Sequence, residues 1–154
     1  MTQRIATISD IGALIELRIA YLTEDHGSLS TETEAKVRRQ LPDYFRRHLG
    51  KDLRAFIAEE NGEAVSSCFL LVTEKPTGPR FPDGLTGTVL NVYTKPEYRR
   101  HGIAGQLMKK LLAEAKELRL DYVELKATKD GLKLYKSLGF EEVFSKYTEM
   151  KFVL

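Results

Sequence analysis

Apolar positions along the chain switch between helical spacing and the short runs of strands, and the switches divide it into elements. Ile11, Leu14, Ile15, Ile19 and Leu22 fall on one face of a helix, with Ser9 or Asp10 as N-cap, Gly27 as its end and a strand over Arg4 to Ser9 before it. Val37, Leu41, Tyr44, Phe45 and Leu49 mark a second helix over roughly Thr31 to Leu49, which Pro42 must kink or restart. Strands over Arg54 to Glu59 and Ala64 to Glu74 flank Glu60-Asn61-Gly62, whose Asn-Gly pair signals a hairpin turn. The breakers Pro76, Gly78, Pro79, Pro82 and Gly84 make a loop, and a long central strand begins near Leu85 and runs to Tyr93. Ile103, Leu107, Leu111, Leu112, Ala115 and Leu118 return to helical spacing. A strand over Asp121 to Ala127, a short helix from about Asp130 to Leu138 and two last strands flanking Ser145-Lys146 complete the order β-α-α-β-β-β-α-β-α-β-β, an α/β chain.

Composition narrows what such a chain can be. At 154 residues, 42% hydrophobic and 30% charged, it fits one domain over 1–154, burying about 70% of its unfolded surface. A net charge of +2 with both signs interspersed argues against a nucleic-acid partner. No window approaches the roughly 20 apolar residues that span a bilayer, so no membrane partner is expected and the location reads as cytoplasmic. Cys68 is the only cysteine, which excludes an intrachain disulfide and leaves it as a small core side chain of a strand. His26, His48 and His101 are scattered, and no metal is expected.

The segment Asn91 to Gly105 carries the chemistry. A buried strand ends at Tyr93, Lys95-Pro96-Glu97 breaks it, and a helix starts near Gly102. Its first N–H groups have no intrahelical partner, and the glycines at 102 and 105 let an anion approach them. The helix dipole adds to that attraction, so the pattern suits a pyrophosphate.

Arg99-Arg100-His101-Gly102-Ile103-Ala104 resembles the acetyl-CoA signature of the GCN5-related N-acetyltransferase (GNAT) family: Arg or Gln, two residues, Gly, one residue, Gly or Ala. Leu134-Tyr135-Lys136-Ser137-Leu138-Gly139-Phe140 resembles that family's Leu-Tyr-x-x-x-Gly-Phe ending to its last helix. The resemblance covers essentially the whole chain and implies a central twisted mixed sheet with helices on both faces. It also implies a splay between the strands at 85–93 and 121–127, where the arm of acetyl-CoA enters and borrows backbone groups of Asn91, Val92 and Tyr93. The implied cofactor-binding set is completed by Arg99, Arg100, His101, Gly102, Ile103, Ala104, Gly105 and Thr128. Arg99, Arg100, Lys133 and Lys136 offer charge for the phosphates. Thr128 stands where many members have an amide, and Gly131 departs from the usual Ala, weakening its helix by roughly 1 kcal/mol.

The resemblance implies direct transfer of an acetyl group to a primary amine. An amine of pKa about 10.4 must lose a proton, and a departing thiolate gains from a nearby acid. Tyr135 is the candidate catalytic acid, on the role of the corresponding tyrosine in the family. A backbone N–H near Val92 would meet the charge that develops on the acyl oxygen. For the base, a water relay through Asn91 and the carboxylates Glu124, Asp25 and Glu24 are alternatives.

The acceptor pocket falls to the first two helices and to the loops near 75–84 and 145–147, where Glu24, Asp25, Glu32 and Glu34 offer negative charge to a cationic amine. A small-molecule amine is slightly favoured over a peptide or protein, because no extra domain is present to hold a protein partner. The alternative is a non-catalytic acyl-CoA-binding regulatory module, against which Tyr135 weighs. A dinucleotide-binding module would need Gly-x-Gly-x-x-Gly opening the helix, which is lacking. An exposed edge strand is the sequence-level reason to expect a homodimer.

Overall fold

The computed structural model describes residues 1–154. Five strands, β1 (Thr2–Ile5), β2 (Leu53–Glu60), β3 (Glu63–Glu74), β4 (Leu85–Thr94) and β5 (Tyr122–Glu124), form one sheet in sequence order. The first three pairings are antiparallel and β4 with β5 is parallel, so the sheet is mixed as expected. Four helices accompany it: α1 (Ile11–His26), α2 (Thr31–His48), α3 (Ile103–Glu117) and α4 (Lys129–Ser137).

Two apolar cores lie on opposite faces. Leu14 of α1 and Leu41 and Phe45 of α2 pack with Ala55, Ile57 and Phe69 on one side. Ile103, Leu107, Met108 and Leu111 of α3 and Tyr135 of α4 pack with Phe56, Cys68, Leu70 and Val89 on the other. Phe56 and Ile57, like Cys68 and Phe69, are sequence neighbours that point to opposite cores, as the strand period of two requires. Cys68 is fully buried, and burial pushes its thiol well above the usual range, which suits a packing role.

Local signals were sound where the chain contacts itself nearby. The Asn61-Gly62 turn closes the β2–β3 hairpin with both residues at positive φ. Pro42 does not restart α2, which is continuous through it. The proline removes one backbone donor, but the buried Leu41 and Phe45 on either side hold the helix against the sheet.

The two last strands do not form. After α4 no strand exists, and Val143, Phe144, Met150, Phe152 and Val153 are 81–91% exposed. A one-faced strand needs alternation, whereas Val143-Phe144 and Phe152-Val153 are adjacent pairs that put one apolar side chain on each face. β5 is also only three residues long, against the seven expected over Asp121 to Ala127.

Candidate active site

The site grows out of an irregularity in β4. Along the β3 edge, Ser67 pairs with Tyr93 and Phe69 with Leu90, so an extra β4 residue is accommodated between them. Asn91 is that bulge, with φ at +53°, a conformation asparagine tolerates better than most residues. Its side chain is 2% exposed and held on both ends. Nδ2 donates to Ser67 Oγ at 3.1 Å, and Oδ1 accepts from Arg18 Nη1 at 3.3 Å. The side-chain amide thus braces the bulge between Ser67 and Arg18.

On its other edge β4 loses its neighbour. The parallel ladder runs from Thr86–Tyr122 to Thr88–Glu124 and stops, while β4 continues to Thr94. Beyond Thr88 the backbone through Asn91, Val92 and Tyr93 has no strand on that side. Unpaired backbone groups need water or a ligand, and the ladder ends in the region where the motif resemblance implied a splay.

The turn after β4 leaves its backbone donors free. Arg100 and Gly102 are both left-handed, at φ +66° and +75°, and Gly102 caps α3. None of the backbone N–H groups from Arg100 through Gly105 donates to a protein acceptor. Consecutive free N–H groups in such a turn form a concave nest at the positive end of the helix dipole. A Cβ at Gly102 would meet nothing within 4 Å, so the nest's mouth is open. Ile103 is buried in the core and anchors the turn, while His101 is exposed and its Nδ1 lies 3.2 Å from the Tyr98 carbonyl.

Arg99 faces elsewhere. Its Nη1 and Nη2 donate to Glu24 at 2.8 and 2.6 Å, and Nε donates to the Thr94 carbonyl at 2.8 Å. The Arg99 hydrogen bonds hold the Glu24 carboxyl below its usual range. This fork ties the end of α1 to the turn after β4 and occupies both Arg99, expected on phosphate, and Glu24, an alternative for the base. Asp25 is exposed on α1, and Glu124, also exposed, lines the rim of the recess beside Tyr135. Arg100 stays exposed beside the nest.

α4 supplies the remaining pieces. Thr128 caps it, its Oγ1 accepting from Gly131 N–H at 3.2 Å. Tyr135 is 9% exposed, stacked edge-on to Phe140, and its hydroxyl makes no protein hydrogen bond. No buried polar side-chain atom lacks a partner, so that oxygen must face open space. Burial pushes the phenol up to about 12, with the Tyr21 phenol and the Cys68 thiol adding to it. A recess of about 780 Å³ opens beside it, against Tyr122, Leu125, Thr128, Leu132 and Phe140.

An acetyltransferase (GNAT) domain family matches residues 51–142, which span β2 through the end of α4. The chain belongs to the GNAT acetyltransferases. Acetyl-CoA-dependent acetyl transfer is the activity that goes with this family. Among solved structures, a predicted acetyltransferase from Clostridium acetobutylicum, crystallised with acetyl-CoA, is 26% identical with a TM-score of 0.82, covering 97% of this chain and 95% of its own. A GCN5-related N-acetyltransferase from Ralstonia eutropha JMP134 is 26% identical with a TM-score of 0.81, covering 97% of each chain. No curated protein matches in sequence.

Set against this GNAT frame, sequence reading missed Arg18, Tyr21 and Ser67. Arg18 and Tyr21 follow Leu14 at helical spacing on the sheet-facing side of α1, and a charge on an apolar stripe was the available signal. Ser67 had none, because its role is set by the bulge across from it. No group of three or more His, Cys, Asp or Glu side chains is placed to hold a metal ion, and no helix is long and apolar enough to cross a membrane.

Proposed function

We propose that this GNAT acetylates a primary amine of a small molecule. The observation that carries the reading is the conjunction of two unfilled backbone surfaces, the free edge of β4 beyond Thr88 and the unpaired N–H groups of Arg100 to Gly105. The two fit the arm and the pyrophosphate of acetyl-CoA, which supplies an acyl group already activated as a thioester. The nest would hold the phosphates, with Arg100 adding charge and the Thr128 hydroxyl free to donate at the rim. Backbone groups of Asn91, Val92 and Tyr93 would align the arm. A preorganised N–H near Val92 favours charge on the acyl oxygen, and Tyr135, kept protonated by burial, gives its proton to the leaving sulfur. With Glu24 tied to Arg99, the amine's proton leaves through water. A small acceptor suits the site because α1 covers the face of β4 at Asn91, with Arg18 reaching over it.

Calorimetry with acetyl-CoA, followed by a panel of amines scored by thiol release, tests the reading. Binding of acetyl-CoA with turnover of at least one small amine supports it. Binding without turnover of any amine or peptide favours the regulatory module, and absence of binding removes both.

A further inference from the structure

Of the arginines, Arg4, Arg38, Arg47, Arg54 and Arg99 each contact a carboxylate. Arg39, Arg46, Arg80, Arg100 and Arg119 lack one and are exposed, where water solvates them. Arg18 alone is half-buried without a carboxylate. Its one polar partner is Asn91 Oδ1 at a long 3.3 Å, and its guanidinium lies 5.7 Å from the ring centre of Tyr21. Burial disfavours its charged form, and nearby phenols of Tyr21 and Tyr44 offset this only in part. A partly desolvated cation without a counter-ion is costly, and most of its donors are unused.

Its position gives the cost a use. Asn91 is the bulge of β4 beside the splay, and Tyr21, one turn along α1, is near enough to Tyr135 to affect its phenol. Arg18 therefore sits on the α1 side of the place where the amine must approach, while the anion nest lies at the other end of the turn after β4.

We infer that Arg18 is the acceptor anchor, pairing its guanidinium fork with a carboxylate carried by the same small molecule as the amine. The acceptor class is then an amino-carboxylate, such as a free amino acid. This rests on the acetyltransferase reading above and deepens it. A guanidinium matches a carboxylate with two parallel charge-assisted hydrogen bonds, which an ammonium cannot reproduce.

The test compares free amino acids with their carboxamides as acceptors, and short peptides with free or amidated C-termini as a second arm. The wild type should prefer the carboxylate member of the active pair by at least about 30-fold in kcat/KM, the scale of a buried charge pair losing one partner. Arg18→Gln should bring that preference to within a few fold, mainly through KM, with acetyl-CoA affinity by calorimetry unchanged. Activity confined to peptides with free C-termini would place the carboxylate on a peptide and overturn the small-molecule assignment. Equal turnover of amides and carboxylates would overturn the anchor while leaving the acetyltransferase reading intact. If acetyl-CoA fails to bind wild type, that reading itself fails.

A readout apart from turnover uses melting temperature. With CoA present, N-acetyl amino acids should raise it for the wild type, N-acetyl amino amides should not, and Arg18→Met should lose the effect. A lower melting temperature with the N-acetyl amino acid response intact would make Arg18 a structural residue.

Discussion

Gly131 lies directly beneath the ring of Tyr135: a Cβ there would stand 2.8 Å from Cε2 and 3.3 Å from Cζ. The glycine that departs from the family pattern thus makes room for the candidate acid. In an exposed helix, Gly→Ala gains about 1 kcal/mol, but Gly131→Ala must displace a ring packed against the core. The expected outcome is turnover lower by about 10- to 100-fold from misplacement, with acetyl-CoA affinity much less affected. Steady-state kinetics beside calorimetry checks it; an unchanged turnover would mean that Tyr135 has no positional role.

Tyr135→Phe keeps the ring and deletes the proton. Turnover should fall by about 10² to 10⁴, the usual contribution of a positioned acid, with acetyl-CoA binding near wild type. Because the phenol is pushed up to about 12, it stays protonated through pH 10. The wild-type rate should therefore show no loss attributable to this group between pH 7 and 10. A decline over that range, absent in the Phe variant, would contradict the raised value.

Asn91→Val and Asn91→Gly separate the backbone role of the bulge from its side-chain bonds. Both lose the bonds to Ser67 and Arg18, but only valine resists the left-handed conformation. That conformation costs an ordinary residue about 1–2 kcal/mol, and an orphaned buried partner about 1–3 more. Urea melts should show Asn91→Val less stable than Asn91→Gly by roughly the first amount. Equal losses would mean that the bulge relaxes in both.

The elements that sequence made legible are those whose cause is local. The Asn61-Gly62 hairpin, the start of α3 at Gly102 and the stripe of α1 each follow from residues within one or two turns of one another. The Asn91 bulge is set by its offset against Ser67, 24 residues away. The Arg99–Glu24 fork spans 75 residues, so a motif arginine that reads as a phosphate ligand is turned toward α1 by a partner no window contains. The splay was reached through family resemblance alone, because Leu85 to Tyr93 reads as one unbroken strand.

Residues 143–154 make no backbone hydrogen bond to the body, and their contacts there include Tyr147 against Arg80. Truncation after Glu142 should therefore leave cooperative melting intact, with a melting temperature within a few degrees of the full chain. Removing Val143, Phe144, Phe152 and Val153 from solvent should also reduce self-association, since contiguous exposed apolar side chains drive it. Scanning calorimetry and light scattering on both forms decide this. A truncation that unfolds would mean that these residues pack in solution.

The pH dependence of stability should be governed in part by Asp10. Arg4 clamps its carboxylate with two hydrogen bonds of 2.8 Å, opposed by burial, and the Thr7 N–H donates a third at 2.7 Å. These hold Asp10 down to about 2, from 3.8. A depressed carboxylate stabilises the fold above its unfolded value near 4, and the contribution is lost as pH falls toward 2. With the Arg4 side chain 36% exposed, solvent screening leaves about 1 kcal/mol of this linkage. Urea melts between pH 5 and 2 should show a steeper loss for wild type than for Arg4→Met, whose Asp10 keeps only the Thr7 bond. Parallel profiles would mean that Asp10 is held by the backbone turn and that the arginine clamp adds nothing.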